Sequence, residues 1–465
     1  MTAAATEAVA AGGAAVTGGA PPAVPGPRAR LARCAPALPV AGVVLLLCWP
    51  QGSGDARVTP ADAASGLLVV WCAVRLLRDR ARPLTPLAAL VLAAPAAGCA
   101  LATVTAQDPA AALPGLVRHL QVFVLVPAAV LLLLRHPRDL RAAAGSVLAL
   151  ALVQGAVGVH QYATGGGASY GGQDIRAVGT FGALDVMGMS TVVSYGIVIA
   201  LALGLAPPPG SPRWLRPAAL GCAAALLVPL AVSFSRGAWI ATAVTVVAVL
   251  LLAGRGPALR GLAALVCAAV VLAGGSGTGP QLIGERLSSI AQITAAPDQS
   301  VTDRYALWAA AAAIWREQPV TGVGPRGFPE HRDAHASLAL SSGSDTAGAG
   351  RGFAREPLLS PHNMYLLVLS EQGLAGLVAL AGAWGALLVC TLRRLRAERR
   401  AGGGGVDCGL AAAGLLLWQL ADFAYADLGG PSTVLTGVLL GLVARWALAP
   451  GADTGADTGA AAVAR

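Results

Sequence analysis

The chain contains no lysine, and charged side chains of all kinds make up only 12% of its 465 residues. Hydrophobic side chains make up 56%, and the mean hydropathy of +0.67 is too high for a soluble globular protein. The composition therefore predicts an all-α polytopic membrane protein. The formal charge is +9, but the arginines fall in turns between apolar runs, which argues against nucleic-acid binding.

The chain also lacks a disulfide or zinc-binding pattern. Of its eight cysteines, most fall inside apolar runs and none falls in the long loop described below. The first residues are rich in Ala, Gly and Pro and contain no apolar run, so we predict a disordered cytoplasmic tail over residues 1–33 and no cleaved signal peptide. A second disordered cytoplasmic tail is predicted over residues 449–465.

Windows of roughly 20 apolar residues predict about 12 membrane-spanning helices between residues 34 and 448. They lie near Ala35–Pro50, Ala61–Leu77, Leu84–Val104, Leu116–Leu134, Ala142–Tyr162, Asp185–Ala206, Pro217–Ser233, Ala238–Leu252, Leu259–Gly274, Asn363–Leu392, Cys408–Tyr425 and Pro431–Leu448.

Arginine-rich turns alternate with arginine-poor ones along the chain, and short positively charged loops stay in the cytoplasm. This pattern predicts that both termini are cytoplasmic. Two short turns predicted to face outward nevertheless carry single arginines beside the membrane, Arg176 and Arg236. One outward loop, residues 275–361, is long and carries several more arginines, including Arg304.

The long loop has local structure of its own. The alanine-rich run Asp303–Glu317 predicts an amphipathic helix at the outer interface, which ends at the glycines and prolines of PVTGVGPRGF. Farther on, Ser360 is predicted to cap a new helix, with Pro361 at its first position and His362 in its first turn. The positive end of the helix dipole would keep the His362 ring neutral and available as a base.

Several polar residues follow His362 in what is predicted to be a membrane helix. Asn363 offers a donor and an acceptor, and Glu371 is predicted to contact a neighbouring helix, because a charge in the membrane requires a partner. At 100° per residue, Glu371 falls on the opposite face from His362 and cannot orient it. Gly373 and Gly376 predict either a close helix contact or a bend.

These residues resemble the signature of the O-antigen ligase family. His362-Asn363, followed nine residues later by Gly373-Leu-Ala-Gly376, resembles the pattern H-[NSQ]-x9-G-x-x-G. Three further segments resemble family motifs: Arg176 with Gly179-Thr180-Phe181, Ser235-Arg236-Gly237-Ala238, and Asp303-Arg304 through Trp308 to Gly322-Val323-Gly324. The residues after Gly376 and the run Gly182–Asp185 depart from the family pattern, which leaves the subfamily open.

The resemblance implies a glycosyltransferase in the bacterial plasma membrane. It would move a glycan from an undecaprenyl-pyrophosphate carrier to the hydroxyl of a glycan or glycolipid acceptor at the extracytoplasmic face, as a ligase or a polymerase. Arg176, Arg236 and Arg304 would bind the donor pyrophosphate, and His362 would accept the hydroxyl proton. Asn363, Glu371, Gly373 and Gly376 would support the site. In-line attack would invert the anomeric carbon, and no metal or other cofactor is predicted.

Each of these interpretations has a simpler alternative. His362 could be a capping residue, the arginines could bind lipid phosphates, and Glu371 could be purely structural. His331 and His335 have the i, i+4 spacing of metal ligands, but no third ligand follows. The alternative function is a polysaccharide or lipid-linked oligosaccharide transporter, which would be expected to show internal repeats or broken helices with polar sites at the midplane; no repeat is evident in the sequence.

Overall fold

The computed structural model describes residues 36–50, 59–79, 84–170, 173–254, 256–257, 259–261, 299–337, 340 and 358–449. Within these residues the chain is mostly helical. The helices are α1 Leu38–Leu45, α2 Pro60–Asp79, α3 Pro86–Val104, α4 Pro109–Leu120, α5 Val126–Leu133, α6 Pro137–Thr164, α7 Gly188–Leu205, α8 Leu215–Ala225, α9 Leu227–Ala231, α10 Arg236–Ala253, α11 Gln299–Glu317, α12 Phe328–His335, α13 Met364–Arg400, α14 Val406–Asp422 and α15 Thr433–Leu448.

The helices agree with an all-α membrane protein. Seven of the described helical segments are long and apolar enough to cross a membrane, and three shorter apolar ones accompany them. One long segment, Pro109–Leu133, joins α4 and α5 through a π-helical turn over Gln121–Leu125. Most of the predicted span Leu259–Gly274 lies outside the described residues, which stop at residue 261 in this region. The total of about 12 membrane-spanning helices therefore stays a prediction.

Small residues bring the helices into close contact. A Cβ on Gly98 of α3 would come 3.0 Å from the Gly376 Cα of α13, and one on Gly441 of α15 would come 2.5 Å from the Val130 Cβ of α5. Glycines at helix interfaces allow such approach in membrane bundles. Gly376 therefore makes the close helix contact that the sequence predicts.

Some of the described segments are not helices that could cross a membrane. A two-stranded antiparallel hairpin, β1 Ala168–Tyr170 and β2 Gln173–Arg176, precedes a 3₁₀ segment over Gly179–Asp185. In the loop predicted over residues 275–361, α11 covers the run predicted to be helical and begins four residues earlier.

The predicted start of α13 is wrong. The helix begins at Met364, and Asn363 rather than Ser360 is its N-cap, with Asn363 Oδ1 accepting a hydrogen bond from the Leu366 amide at 3.0 Å. The reason is the backbone at His362, whose φ of 47° is incompatible with a right-handed helix. His362 thus precedes α13 instead of lying in its first turn.

Helix α13 is long and broken. Its 37 residues correspond to about 56 Å at 1.5 Å per residue, far more than a bilayer core requires. Gly373 interrupts it with φ 62° and ψ −165°, a conformation essentially restricted to glycine. Of the two roles that the sequence suggests for Gly373, a close helix contact or a bend, the structure shows the bend.

The Pro319–Gly324 turn, which follows α11, fills the break in α13. The amides of Val323 and Gly324 donate to the carbonyls of Ser370 and Glu371 at 3.0 and 2.9 Å, and the amides of Leu374 and Ala375 donate to the carbonyls of Pro319 and Val320 at 2.9 and 3.0 Å. Four backbone hydrogen bonds thus connect the turn to both sides of the break. They satisfy groups that the interrupted helix leaves without its own partners.

Candidate functional site

His362 is held from two sides just before α13. The carbonyl of Pro361 accepts a hydrogen bond from Trp308 Nε1 at 2.9 Å. On the other side, Asn363 Nδ2 donates to the carbonyl of Ala424 at 3.0 Å. The two neighbours of His362 are therefore tied to α11 and to the turn after α14. A left-handed non-glycine residue persists only where its surroundings fix it in this way.

The cause of a neutral His362 ring differs from the sequence-based explanation. Because His362 lies outside α13, the dipole of that helix is not the main influence. Partial burial is the largest cause, and it lowers the pKa of His362 below its usual value; the Asp427 carboxylate opposes this shift and the Arg304 guanidinium adds to it. A histidine with a lowered pKa is unprotonated at neutral pH, as a general base must be.

The Phe423–Asp427 turn, which follows α14, gathers other predicted site residues around Tyr425. Arg304 Cζ lies 5.4 Å from the centroid of the Tyr425 ring, in cation–π contact. The Trp308 ring lies 6.3 Å from the same ring. On another side, a Cβ on Gly237 would come 3.3 Å from the Tyr425 Cβ, so the start of α10, with Arg236, packs against this turn.

Arg176 belongs to a neighbouring part of the same end of the bundle. Its Nε donates to the carbonyl of Ser233 at 3.0 Å, and Nη2 lies 3.0 Å from Met187 Sδ. Ser233 is three residues before Arg236, and Ser235 between them caps α10 through its hydroxyl. The structure therefore brings Arg176 beside the segment that leads into Arg236. Arg304 and His362 lie at the Phe423–Asp427 turn, and Gly237, next to Arg236, packs against it.

Sequence reasoning missed two carboxylates at this site. Asp422 ends α14 and is buried, and Asp427 follows it in the same turn. Asp427 Oδ2 is buried and has no hydrogen-bond partner among the described residues. The available signal was the run DFAYAD, which places two acids at the end of an apolar span in an otherwise uncharged turn.

Glu371 contacts a neighbouring helix, as predicted. Its Oε1 accepts a hydrogen bond from the amide of Phe328 at 3.2 Å, at the first residue of α12. A side-chain oxygen at a helix N-terminus satisfies an amide that lacks a partner within the helix. Glu371 is buried next to the break in α13, so this geometry favours its structural interpretation.

The two histidines with metal-like spacing are engaged in local bonds. His331 Nδ1 lies 2.9 Å from the carbonyl of Gly327, and His335 Nε2 lies 2.8 Å from Glu317 Oε1. Across the described part of the chain, no group of three or more His, Cys, Asp or Glu side chains is arranged to hold a metal ion. Metal-independent chemistry stays a prediction.

Comparison with known proteins bears on this arrangement. A search of the curated proteins finds no match. Residues 221–381 match the family described as O-Antigen ligase. The match contains every predicted site residue except Arg176, and it also leaves out the Phe423–Asp427 turn. It confirms the resemblance drawn from the sequence motifs: residues 221–381, about a third of the chain, are similar to the O-antigen ligase family.

Proposed function

We propose that the protein is a membrane glycosyltransferase that moves a glycan from an undecaprenyl-pyrophosphate carrier to an acceptor hydroxyl, at the extracytoplasmic face of the bacterial plasma membrane. The family itself supports the coarser statement, a membrane enzyme of the O-antigen ligase or polymerase type. The finer statement rests mainly on one observation. A partly buried histidine with a lowered pKa and Arg304 lie at the Phe423–Asp427 turn, and the segment that carries Arg236 packs against it, although these residues come from distant parts of the chain.

The charges in this arrangement suit the proposed leaving group. Breaking the bond between the anomeric carbon and the carrier leaves the electron pair on a pyrophosphate oxygen. Arginine stabilises such an anion through paired N–H donors and a charge that persists at all physiological pH values. Arg236 and Arg304 are both half-buried, so their charges are screened less by water than those of exposed arginines.

The proton of the acceptor hydroxyl would pass to the His362 ring as the hydroxyl oxygen attacks the anomeric carbon. One carbon–oxygen bond forms while the other breaks, and attack in line with the departing pyrophosphate inverts the anomeric carbon. The Asp427 carboxylate would stabilise the protonated ring, since its charge raises the pKa of His362. Arg304 works in the opposite sense on the histidine while it offers a positive charge to the pyrophosphate.

The main test replaces the arginines and the histidine in a complemented deletion strain and measures lipid-linked and surface glycans. His362→Ala should lower the transfer rate by about 10²–10⁴-fold. Arg176→Ala and Arg236→Ala should each abolish or strongly lower transfer, and the lysine variants should recover only part of it, because a point charge cannot form the paired bonds of a guanidinium. Membrane insertion should be unchanged.

A matched control lies on α11. Arg316 is exposed on the same helix as half-buried Arg304, so Arg316→Ala removes an equal charge away from the Tyr425 ring. Near-normal glycan from both the Arg176 and Arg236 alanine variants would show that these arginines only contact lipid. In the deletion strain, loss of long chains would indicate a polymerase, and complete glycan retained on its carrier would indicate a ligase.

One observation favours the transporter alternative. Transporters place their substrates at helices broken within the membrane, and α13 is broken at Gly373. However, the backbone groups at this break are occupied by the Pro319–Gly324 turn of the same chain. A transporter would translocate lipid-linked glycan without forming a glycosidic bond, so product formation by the purified protein separates the two functions.

A further inference from the structure

A second group of charged residues lies at the opposite end of the bundle from His362. There a cavity of about 390 Å³ opens between the C-terminal ends of α2, α5 and α15 and the start of α3. Helix α15 begins shortly after the Phe423–Asp427 turn and has 16 residues, or about 24 Å. The cavity is thus nearly one bilayer core away from the proposed catalytic site.

The lining of the cavity combines two chemistries. Three arginines from three different elements line it, Arg75, Arg135 and Arg445, together with one acid, Asp79. Three positive charges against one negative charge leave a net charge of +2. Most of the other lining residues are apolar, mainly leucines from α2, α5 and α15 and Leu84 just before α3.

The alternative is that these arginines serve only the helix ends and the orientation of the chain. Arg445 does have a structural bond, since its Nη2 donates to the carbonyl of Arg135. Arg75 makes local contacts on α2: its Nε lies 3.9 Å from Asp79 Oδ2, at the limit of an ion pair, and its Cζ lies 5.9 Å from the centroid of the Trp71 ring, while its side chain is 37% exposed. Cytoplasmic retention of arginines accounts for positive charge near this end of the bundle, but it does not require a leucine-lined cavity between them.

From this combination we propose that the cavity binds an anionic phospholipid, with its phosphate among Arg75, Arg135 and Arg445 and its acyl chain along the leucines. Basic pockets between membrane helices are suited to anionic lipid headgroups. The apolar wall distinguishes such a ligand from a free phosphate compound, because leucine side chains gain free energy by contact with an acyl chain but not with a hydrated anion. This site is independent of the proposed transferase reaction.

The test uses the full-length protein in detergent, with native mass spectrometry to measure retained phosphatidylglycerol against phosphatidylcholine. Wild-type protein should retain phosphatidylglycerol preferentially. Arg75→Gln and Arg135→Gln should each weaken the binding of phosphatidylglycerol about fivefold, because that is the contribution of one arginine near an anionic headgroup. The double variant should weaken it about 25-fold. The Arg135 side chain is exposed, and only the backbone of this residue serves α6 and Arg445, so this substitution leaves the described contacts in place.

Two further variants separate specific binding from misfolding and from general charge. Asp79→Asn removes the negative charge at the cavity and should increase retention of phosphatidylglycerol, a gain that a damaged fold would not produce. Arg396→Gln removes an exposed arginine near the C-terminal end of α13, outside the cavity, and should leave the retention of phosphatidylglycerol unchanged. Equal retention of both lipids, equal losses from Arg396→Gln and Arg75→Gln, or displacement of the lipid by inorganic phosphate would each overturn the proposal.

Discussion

Replacement of Gly373 by alanine should disconnect the Pro319–Gly324 turn from α13. An alanine at φ 62° and ψ −165° would cost about 1–3 kcal/mol in backbone strain. Its Cβ would also lie 2.3 Å from the carbonyl of Val320, and such crowding typically costs about 1–3 kcal/mol. The combined cost of about 2–6 kcal/mol is of the same order as the net contribution of the four hydrogen bonds, at about 0.5–1.5 kcal/mol each.

Because the crowding arises where the turn meets α13, we expect the turn to leave the break while the rest of the bundle stays folded. Arg326 lies two residues after the turn in a left-handed conformation with φ 66°, so release of the turn should make the chain there more accessible to trypsin. We therefore expect faster cleavage after Arg326 in Gly373→Ala, a lower thermal unfolding temperature in detergent, and reduced transfer activity.

Gly382 provides the matched control on the same helix. It has nothing within 4 Å of an added Cβ and no unusual φ, so Gly382→Ala should be neutral or stabilise α13 by up to about 1 kcal/mol. Equal unfolding temperature, cleavage and activity for the Gly373 and Gly382 variants would refute the account of the break.

The other predictions concern acid–base roles and orientation. Activity should fall as the pH drops through the pKa of His362, which lies below the usual histidine value of 6.5. Asp427→Asn should move this fall in activity to lower pH, and Arg304→Gln should move it to higher pH. A pH–rate profile that is unchanged in both variants would contradict the assignment of His362. Glu371→Gln should lose little activity and Glu371→Ala more, since the amide keeps an acceptor for α12; the glutamate would be catalytic if Glu371→Gln alone were inactive. A cysteine at exposed Ser337 should react with an impermeant reagent in intact cells, and reaction only after permeabilisation would reverse the proposed orientation.

The sequence predicts those features of this protein that depend on local composition. Runs of apolar residues predict helices such as α3 and α7 to within a few residues, because every backbone group in a membrane has to be paired within its own segment. The helix in the loop is also predicted from local composition, the alanine-rich run Asp303–Glu317. Residue types at motif spacing also select Arg304 and His362, which the structure brings to the same turn.

Features that depend on contacts between distant segments escape this reasoning. Ser360-Pro361 is a good helix start by local rules, but the hydrogen bonds of Pro361 and Asn363 to Trp308 and Ala424 fix His362 in a left-handed conformation and delay the helix to Met364. The partners of His362 are missed for a related reason. Tyr425 and Asp427 lie more than 60 residues farther along the chain, and no periodicity connects them to α13.

The hydrogen bonds between the Pro319–Gly324 turn and α13 also bear on how the protein assembles during synthesis. The segment of α13 around Gly373 acquires its full set of hydrogen bonds only when the turn is present. Because the turn precedes α13 in the chain, a ribosome that works from the N-terminus delivers the turn before its receiving helix emerges. Expression of α13 separately from the preceding segment would therefore leave unpaired backbone groups inside the membrane, where they are costly. Insertion of α13 should thus depend on its being synthesised in one chain with the Pro319–Gly324 turn.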